Sequence, residues 1–368
     1  MENQVLSLTP WKNYSKKDYH KLHSLCSYMA MFPPSLPNHF IKKYSKEGES
    51  VFDPFSGRGT TVLEACLNNR VGIGNDRNPL AFLLTKVKSN PPSKQRILSK
   101  IDSLEREFDP EKIDINQEKD HIRMLFHDST LKQLIFLRSR LDWKNKNLDA
   151  FISAIITGSI HGGSESYFSI SMPSAFSMSP NYIKKYIQEH NLEKPRRDVF
   201  NILRKKVEKN YQKPLMAKGK AYNLDVANIY RLEDSSVDLI ITSPPYTKVI
   251  KYGQFNWIRL WFLGKNARDV DKKLFFTQSL IKYRGFMFGA LEELKRVLKP
   301  RKKLVLVIGD IKEKNLAQDI WENCAKPLGF KLMDNIEDKI NDNSKVSKIW
   351  GQKRGNVTKI DRILVLEK

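Results

Sequence analysis

The sequence predicts an α/β protein in which a doubly wound sheet is interrupted by a long, mainly helical insertion. Near the start of the chain, an apolar strand at 49–54 runs through a glycine turn into a helix and is followed by a second strand at 71–76. Strand–helix–strand units of this kind build doubly wound sheets. Strand and helix patterns alternate again from about residue 220 onward, whereas residues 93–215 show helical periodicity without that alternation.

The chain therefore divides into three regions, and the first of them, residues 1–92, begins the sheet. Thr60 and Thr61 begin the helix after the glycine turn, and Asn78 with Pro79 begins the next helix. The insertion, 93–215, is the second region. The third region, 216–368, completes the sheet, with strands predicted at 221–225, 237–242, 303–310, 330–336 and 362–367 and helices at 279–298 and 316–328.

Charge and composition restrict the class of partner. The chain has 64 Lys and Arg residues against 41 Asp and Glu residues, a formal net charge of +23. Such a charge favours a polyanion as partner, although a general bias toward Lys would produce it as well. The three Cys residues are far apart, no His or Cys pattern typical of a metal site is present, and no apolar stretch is long enough to span a membrane. We expect a cytoplasmic protein without a membrane segment and without a metal.

The glycine turn is the first candidate binding site. The segment DPFSGRGTT (53–61) places Gly57 and Gly59 where a strand turns sharply into a helix, so the backbone can approach a ligand closely. Asp76, at the end of the next strand, can accept hydrogen bonds from ribose hydroxyls. The spacing differs from that of the dinucleotide-binding motif, and a purely structural turn is the alternative.

The segment TSPPY (242–246) is the second candidate site. Two consecutive prolines end β-pairing and make a rigid rim at the carboxyl end of a strand, where open α/β sheets bind ligands. A hydroxyl, a backbone carbonyl and an aromatic ring are presented there together. These groups suit a planar base that carries an amino group.

Together, DPFSGRGTT and TSPPY resemble the motifs of the S-adenosylmethionine-dependent DNA amino-methyltransferases. The resemblance implies a Rossmann-like methyltransferase sheet and S-adenosyl-L-methionine as cofactor. The Ser-Pro-Pro-Tyr form is similar to the N4-cytosine enzymes, whereas Asp or Asn usually replaces the Ser in N6-adenine enzymes. Segments 31–35, 74–79 and 257–264 resemble further parts of the family pattern.

The resemblance also assigns roles to individual residues. In the tetrapeptide, Ser243 and Pro244 are expected to hydrogen-bond the target amino group, Pro245 to shape the rim and Tyr246 to stack on the flipped base. Asp76 is expected to bind the ribose and Asp225 the adenine amino group. The complete set expected to hold the cofactor is Phe32, Pro33, Asp53, Phe55, Gly57, Gly59, Thr60, Thr61, Asp76, Arg77 and Asp225.

In this chain the glycine turn precedes TSPPY, which is the reverse of the order in many relatives with Ser-Pro-Pro-Tyr. The long segment between the two motifs is therefore expected to carry target recognition. Double-stranded DNA is the expected partner, together with a cognate restriction endonuclease. The residues expected to contact nucleic acid are Arg196, Arg197, Arg204, Lys205, Lys353 and Arg354.

Three other functions remain open on the sequence alone. The chain could methylate adenine N6, or it could act on RNA through a similar Pro-Pro-Tyr site. It could also be a catalytically idle DNA-binding subunit, although the intact cofactor and tetrapeptide motifs argue against this. A C5-cytosine mechanism is excluded, because it needs a nucleophilic Cys after Pro and none of Cys26, Cys66 and Cys324 follows one.

Overall fold

A computed structural model describes residues 10–13, 19–29, 32–172, 174, 176, 178–211, 215–245, 251–310, 315–339 and 360–368. These residues form a seven-stranded sheet with the strand order β3-β2-β1-β4-β5-β7-β6. The strands are β1 (Ser50–Asp53), β2 (Val71–Asn75), β3 (Lys220–Tyr222), β4 (Val237–Thr242), β5 (Leu298–Gly309), β6 (Lys331–Lys339) and β7 (Ile360–Glu367). The predicted doubly wound α/β fold is confirmed.

The sheet is mixed. Strands β1 to β5 pair in parallel, whereas β7 pairs antiparallel to both β5 and β6. The chain winds outward from β1 toward β3 on one side and from β4 toward β6 on the other, so the winding direction reverses between β1 and β4. In open α/β sheets, ligands bind outside the carboxyl ends of the strands at such a switch point.

Both faces of the central strands are buried, as expected for a parallel sheet covered by helices. In β5, alternate residues enter two different cores: Leu304, Leu306 and Ile308 on one face, Val305 and Val307 on the other. One long helix contributes Met287, Leu291 and Leu294 to the first core. The helix before β1 contributes Leu36, Phe40 and Ile41 to the second core.

The helices that surround the sheet are α1 (Ser35–Tyr44), α2 (Thr60–Leu67), α3 (Pro79–Ser89), α4 (Lys94–Glu107), α5 (Asp120–Arg123), α6 (Asp128–Arg140), α7 (Asn147–Ser159), α8 (Pro180–Glu189), α9 (Val199–Asn210), α10 (Tyr252–Phe255), α11 (Trp257–Phe262), α12 (Ala267–Lys273), α13 (Leu280–Val297) and α14 (Leu316–Ile320). Short 3₁₀ turns occur at Pro10–Asn13, Lys21–Ser24, Pro110–Lys112 and Ile115–Gln117. Within the ranges that the structure describes, no helix combines the length and the apolar character needed to cross a bilayer.

The insertion packs onto the rest of the protein through a shared core. Buried residues of α4, α6, α7 and α9 belong to the same apolar cluster as residues of two helices outside the insertion, α3 and α11. The members from α3 and α11 include Leu80, Leu84, Val87, Ile258, Leu260 and Phe262. The described residues of 93–215 thus form helices that share one apolar core with α3 and α11.

Several observed elements begin or end at other residues than predicted, including β3, β5 and α14. Strand β3 stops at Tyr222 rather than 225, because the Asn75 side chain replaces strand pairing by accepting a hydrogen bond from the Leu224 N–H (2.9 Å). Strand β5 begins five residues early, since Leu298 already pairs with Val237 before a register shift. The predicted helix 316–328 is α-helical only to Ile320 and continues as a π-helical turn, Trp321–Ala325.

Candidate active site

The two predicted motifs meet at the switch point of the sheet. Asp53 ends β1 and Thr242 ends β4, and these strands are parallel neighbours. The Thr242 hydroxyl donates a hydrogen bond of 2.6 Å to Asp53 Oδ1, across 189 positions of sequence. The glycine turn and Ser243 therefore leave the sheet side by side at the same edge.

Asp53 is a buried carboxyl group at this junction. Its side chain also accepts a hydrogen bond from the Phe55 N–H (3.2 Å), which shapes the first step of the turn. Burial raises the pKa of Asp53 to about 6, and the hydrogen bond from Thr242 offsets only part of that effect. Asp53 therefore joins two strand ends and changes its charge near neutral pH.

The glycine turn has a backbone that only glycine adopts easily. Gly57 has φ 49° and Gly59 has φ 76°, both in the left-handed region. Helix α3 supports the turn from behind, because the hydroxyls of Ser56 and Thr85 lie 2.9 Å apart. Gly59 packs so closely on α3 that an added Cβ would lie 2.9 Å from the Thr85 Cα.

Gly59→Ala is expected to destabilise the fold around the turn. The added methyl group meets helix backbone rather than a flexible side chain, and the positive φ adds strain of about 1 kcal/mol or more. We expect the free energy of unfolding to fall by about 2 kcal/mol, measured by chemical denaturation. Gly48→Ala is the matched control, since φ is also positive there (79°) but an added Cβ meets nothing within 4 Å. Equal losses in the two variants would contradict the close contact with α3.

Asp76 connects the glycine turn to the next one. Its carboxylate accepts hydrogen bonds from the N–H groups of Gly57 (2.9 Å) and Asn78 (2.8 Å). Burial raises the pKa of Asp76 to about 6, against the opposing effect of these two hydrogen bonds. Since each carboxylate oxygen can accept more than one hydrogen bond, Asp76 keeps the capacity to bind hydroxyl groups of a ligand.

Arg77 and Asp225, both predicted to bind the cofactor, meet across the ends of β2 and β3. The Arg77 guanidinium forms an ion pair with the Asp225 carboxylate, and both side chains are about half exposed. Nearby, the Asn223 amide donates to the Asp76 carbonyl (2.6 Å). The predicted ribose and adenine contacts thus lie next to each other, but in this structure Asp225 is already paired with Arg77.

Two tyrosines that the sequence analysis did not select lie beside these turns. The rings of Tyr28 and Tyr252 stack with centroids 5.7 Å apart. Tyr28 also packs on Gly57, and its hydroxyl accepts a hydrogen bond from the Asn78 amide (3.0 Å). Two signals could have revealed them: Tyr28 lies four residues before Phe32, and Tyr252 closely follows TSPPY.

The remaining predicted cofactor residues surround the turn at different depths. Phe32 packs against the core on the α1 face of the sheet, whereas Pro33 is exposed. Phe55 points toward α13 instead, with its ring centroid 5.9 Å from that of Phe286. Thr60 and Thr61 begin α2 and are buried.

The tetrapeptide is described for three of its four residues. Pro244 is buried, whereas Ser243 and Pro245 are partly exposed at the end of β4. Tyr246 lies outside the described residues, as do Lys353 and Arg354. The structure therefore places Ser243 at the edge beside the glycine turn, and the stacking role of Tyr246 stays a prediction.

The predicted nucleic-acid contacts in the insertion differ in their surroundings. Arg196 and Lys205 are exposed, and Arg197 is partly buried just before α9. Arg204 instead forms ion pairs with Asp102 and Glu105 of α4. The hydrogen bond to Glu105 raises the pKa of Arg204 further above its usual range, so this side chain cross-links two helices of the insertion.

The site can hold a nucleoside cofactor by its own chemistry. The glycine turn leads into the N-terminus of α2, which has no side-chain cap, and Asp76 offers a carboxylate for hydroxyl groups beside it. Among the residues with described placement, no group of three or more His, Cys, Asp or Glu side chains could bind a metal ion.

The chain is similar to several known methyltransferases. The profile of a family described as DNA methylase matches residues 2–86. The chain is 24% identical over 281 residues to the type II methyltransferase M.MvaI of Kocuria varians, covering 70% of this chain and 60% of that protein. It is 51% identical over 47 residues to the orphan methyltransferase M.BamHII of Bacillus amyloliquefaciens, covering 13% and 18%. The crystal structure of TrmN from Thermus thermophilus aligns with a TM-score of 0.36 and 12% identity, covering 94% of this chain and 52% of TrmN. The chain thus spans about 60% of the length of M.MvaI.

Proposed function

We propose that this chain is an S-adenosylmethionine-dependent DNA amino-methyltransferase that methylates the exocyclic N4 amino group of cytosine in double-stranded DNA. The observation that carries this proposal is the hydrogen bond between Thr242 and Asp53, because it holds the two motifs at one edge of the sheet. The Ser at the first position of Ser-Pro-Pro-Tyr favours cytosine over adenine.

S-adenosylmethionine is the cofactor of this family and of this chain, and it supplies an electrophilic methyl group on a sulfonium. The residues around the glycine turn bind it. The glycine turn and the N-terminus of α2 would hold the cofactor, and Asp76 would accept hydrogen bonds from its ribose. Asp225, which forms an ion pair with Arg77, would contact the adenine amino group.

At the acceptor side, Ser243 and Pro244 orient the target nitrogen. The lone pair of an exocyclic amino group is delocalised into the ring, so this nitrogen is a poor nucleophile. Hydrogen bonds from the amino group to the Ser243 hydroxyl and the Pro244 carbonyl draw the nitrogen toward a tetrahedral geometry and fix its direction. Positioning of this kind supplies most of the catalysis.

The acceptor base must leave the duplex, because its amino group is paired inside the helix. The helical insertion shares a core with α3 and α11, which supports a role for it in contacting DNA around the flipped base. Protection of self DNA beside a restriction endonuclease is the biological role that this activity fits.

One assay distinguishes this function from its alternatives. The purified protein is incubated with duplex DNA and isotopically labelled cofactor, and the DNA is digested to nucleosides. N4-methylcytosine is the expected product. N6-methyladenine would show that the Ser-based assignment is wrong, and labelling of tRNA in preference to duplex DNA would identify an RNA enzyme.

Two neighbouring basic residues of α9 are expected to respond differently to mutation. Lys205→Ala is expected to weaken DNA binding and to reduce the slope of log affinity against log salt by about 1, as for one lost phosphate contact. Arg204→Ala is expected to leave that slope unchanged and to cost below about 1 kcal/mol of stability, because its guanidinium is held by Asp102 and Glu105. Fluorescence anisotropy over a salt series measures both. If the salt slope of DNA affinity fell in Arg204→Ala but not in Lys205→Ala, Arg204 rather than Lys205 would be the residue that contacts a phosphate.

A further inference from the structure

The stacked rings of Tyr28 and Tyr252 lie beside the glycine turn. Tyr28 is 6% exposed, and its ring lies 3.5 Å from the position of a Cβ on Gly57. Tyr252 is partly buried. The pair thus reaches from the cofactor turn to the chain that follows the tetrapeptide.

The two tyrosines lie next to Asp76, the residue expected to bind the ribose. Burial raises the pKa of Tyr252 well above its usual value, and the nearby Asp76 carboxylate raises it further. Tyr28 is tied to the same turn, because its hydroxyl accepts a hydrogen bond from Asn78, two residues after Asp76. Both phenols are therefore neutral aromatic groups beside Asp76 at any physiological pH.

The substrate and product forms of the cofactor differ in charge at the sulfur atom. Methyl transfer breaks the bond between sulfur and the methyl carbon, and both electrons of that bond stay on sulfur. The new bond forms between the methyl carbon and the acceptor nitrogen, which then releases a proton to solvent. The positively charged sulfonium becomes a neutral thioether, while the adenine, ribose and amino-acid parts stay the same.

We propose that Tyr252, supported by Tyr28, recognises the positive charge of the sulfonium and so makes the site prefer S-adenosylmethionine to its demethylated product. Aromatic faces attract cations through the ring quadrupole, and the attraction is largest where water is excluded. Tyr28 is buried, Tyr252 is partly buried and their rings stack, so water has limited access to the pair. Product release then becomes easier once the charge is lost. The inference rests on the proposed function, since it takes the ligand of this edge to be the family's cofactor.

Isothermal titration with each form of the cofactor tests the inference without any turnover. For Tyr252→Leu, we expect the affinity for S-adenosylmethionine to fall about 3- to 20-fold more than the affinity for S-adenosylhomocysteine. Tyr252→Phe keeps the ring and should keep the preference. Tyr28→Phe, which loses only the hydrogen bond from Asn78, should keep it as well.

Tyr44→Leu is the matched control. Tyr44 also stacks on a neighbouring ring, that of Phe40 at 6.0 Å, but it lies at the end of α1 that leads to the amino end of β1. Its loss should change neither affinity. Equal weakening of both ligands by Tyr252→Leu would overturn the inference and leave the ring a packing role. A wild-type protein that binds neither ligand would instead refute the proposed function.

Discussion

Ser243→Ala is expected to lower kcat by about 100-fold or more while the affinity for S-adenosylmethionine stays within about twofold. The substitution removes the hydroxyl that orients the acceptor amino group at the end of β4. It leaves Asp53, Thr242 and the glycine turn in place, so the cofactor side of the site is unchanged. Single-turnover methylation of a DNA duplex measures kcat, and isothermal titration measures the affinity.

Ser236→Ala controls for the loss of a serine hydroxyl from the same strand region. Ser236 precedes β4 at the opposite edge of the sheet, where its hydroxyl donates to the Glu233 carbonyl (2.7 Å). We expect full activity from this variant. If Ser243→Ala also kept the wild-type kcat, the amino group would have to be oriented by other residues and the assigned role of Ser243 would be wrong.

The parts of the fold that the sequence predicted are those with short-range patterns. An apolar strand that ends in Asp-Pro and two glycines predicted both the sheet and its sharp turn, because glycine adopts the positive φ found at Gly57 and Gly59 more easily than other residues. Consecutive prolines likewise predicted the end of β4. These signals need no knowledge of the rest of the chain.

The contacts that the sequence did not predict join distant segments. No local pattern shows that Tyr28 stacks on Tyr252, or that Arg204 is neutralised by Asp102 and Glu105. A run of basic residues is the same in the sequence whether its charges face DNA or pair within the protein. Helical periodicity alone also does not predict the core that the insertion shares with α3 and α11.

Asp76→Ala is expected to weaken S-adenosylmethionine binding about 100-fold. A hydrogen bond to a charged group contributes about 1.5–3 kcal/mol, and the variant loses the contact with the ribose together with the support of the Gly57 N–H. Asp76→Asn keeps the size of the side chain and should lose about tenfold, because it removes the charge and replaces one acceptor oxygen by an NH2 donor. Isothermal titration measures both. Asp225→Ala provides the comparison for a more exposed carboxylate of the same site, and a larger loss there would contradict the central role of Asp76.

The pKa of Asp76 connects this binding role with stability. Its carboxyl group has a pKa of about 6 in the folded protein against an ordinary value of 3.8, so between pH 4 and 6 the folded state binds more protons than the unfolded state. Stability therefore falls as pH rises through that window, and the cost is complete above pH 6. Asp76→Asn should accordingly be about 1 kcal/mol more stable than the wild type at pH 7.5. This gain is smaller than the shift alone implies, because the Asn amide has one acceptor oxygen and keeps only one of the hydrogen bonds from Gly57 and Asn78, which Asp76 accepts on different oxygens.

Cofactor affinity has the opposite dependence on pH. It should decline in the wild type below pH 6, where Asp76 is protonated, and decline less in Asp76→Asn, in which Asp53 still titrates. Denaturation and titration over pH 4–8 measure both trends, and a variant that is less stable than the wild type at pH 7.5 would show that hydrogen bonding at this turn outweighs desolvation of the carboxylate.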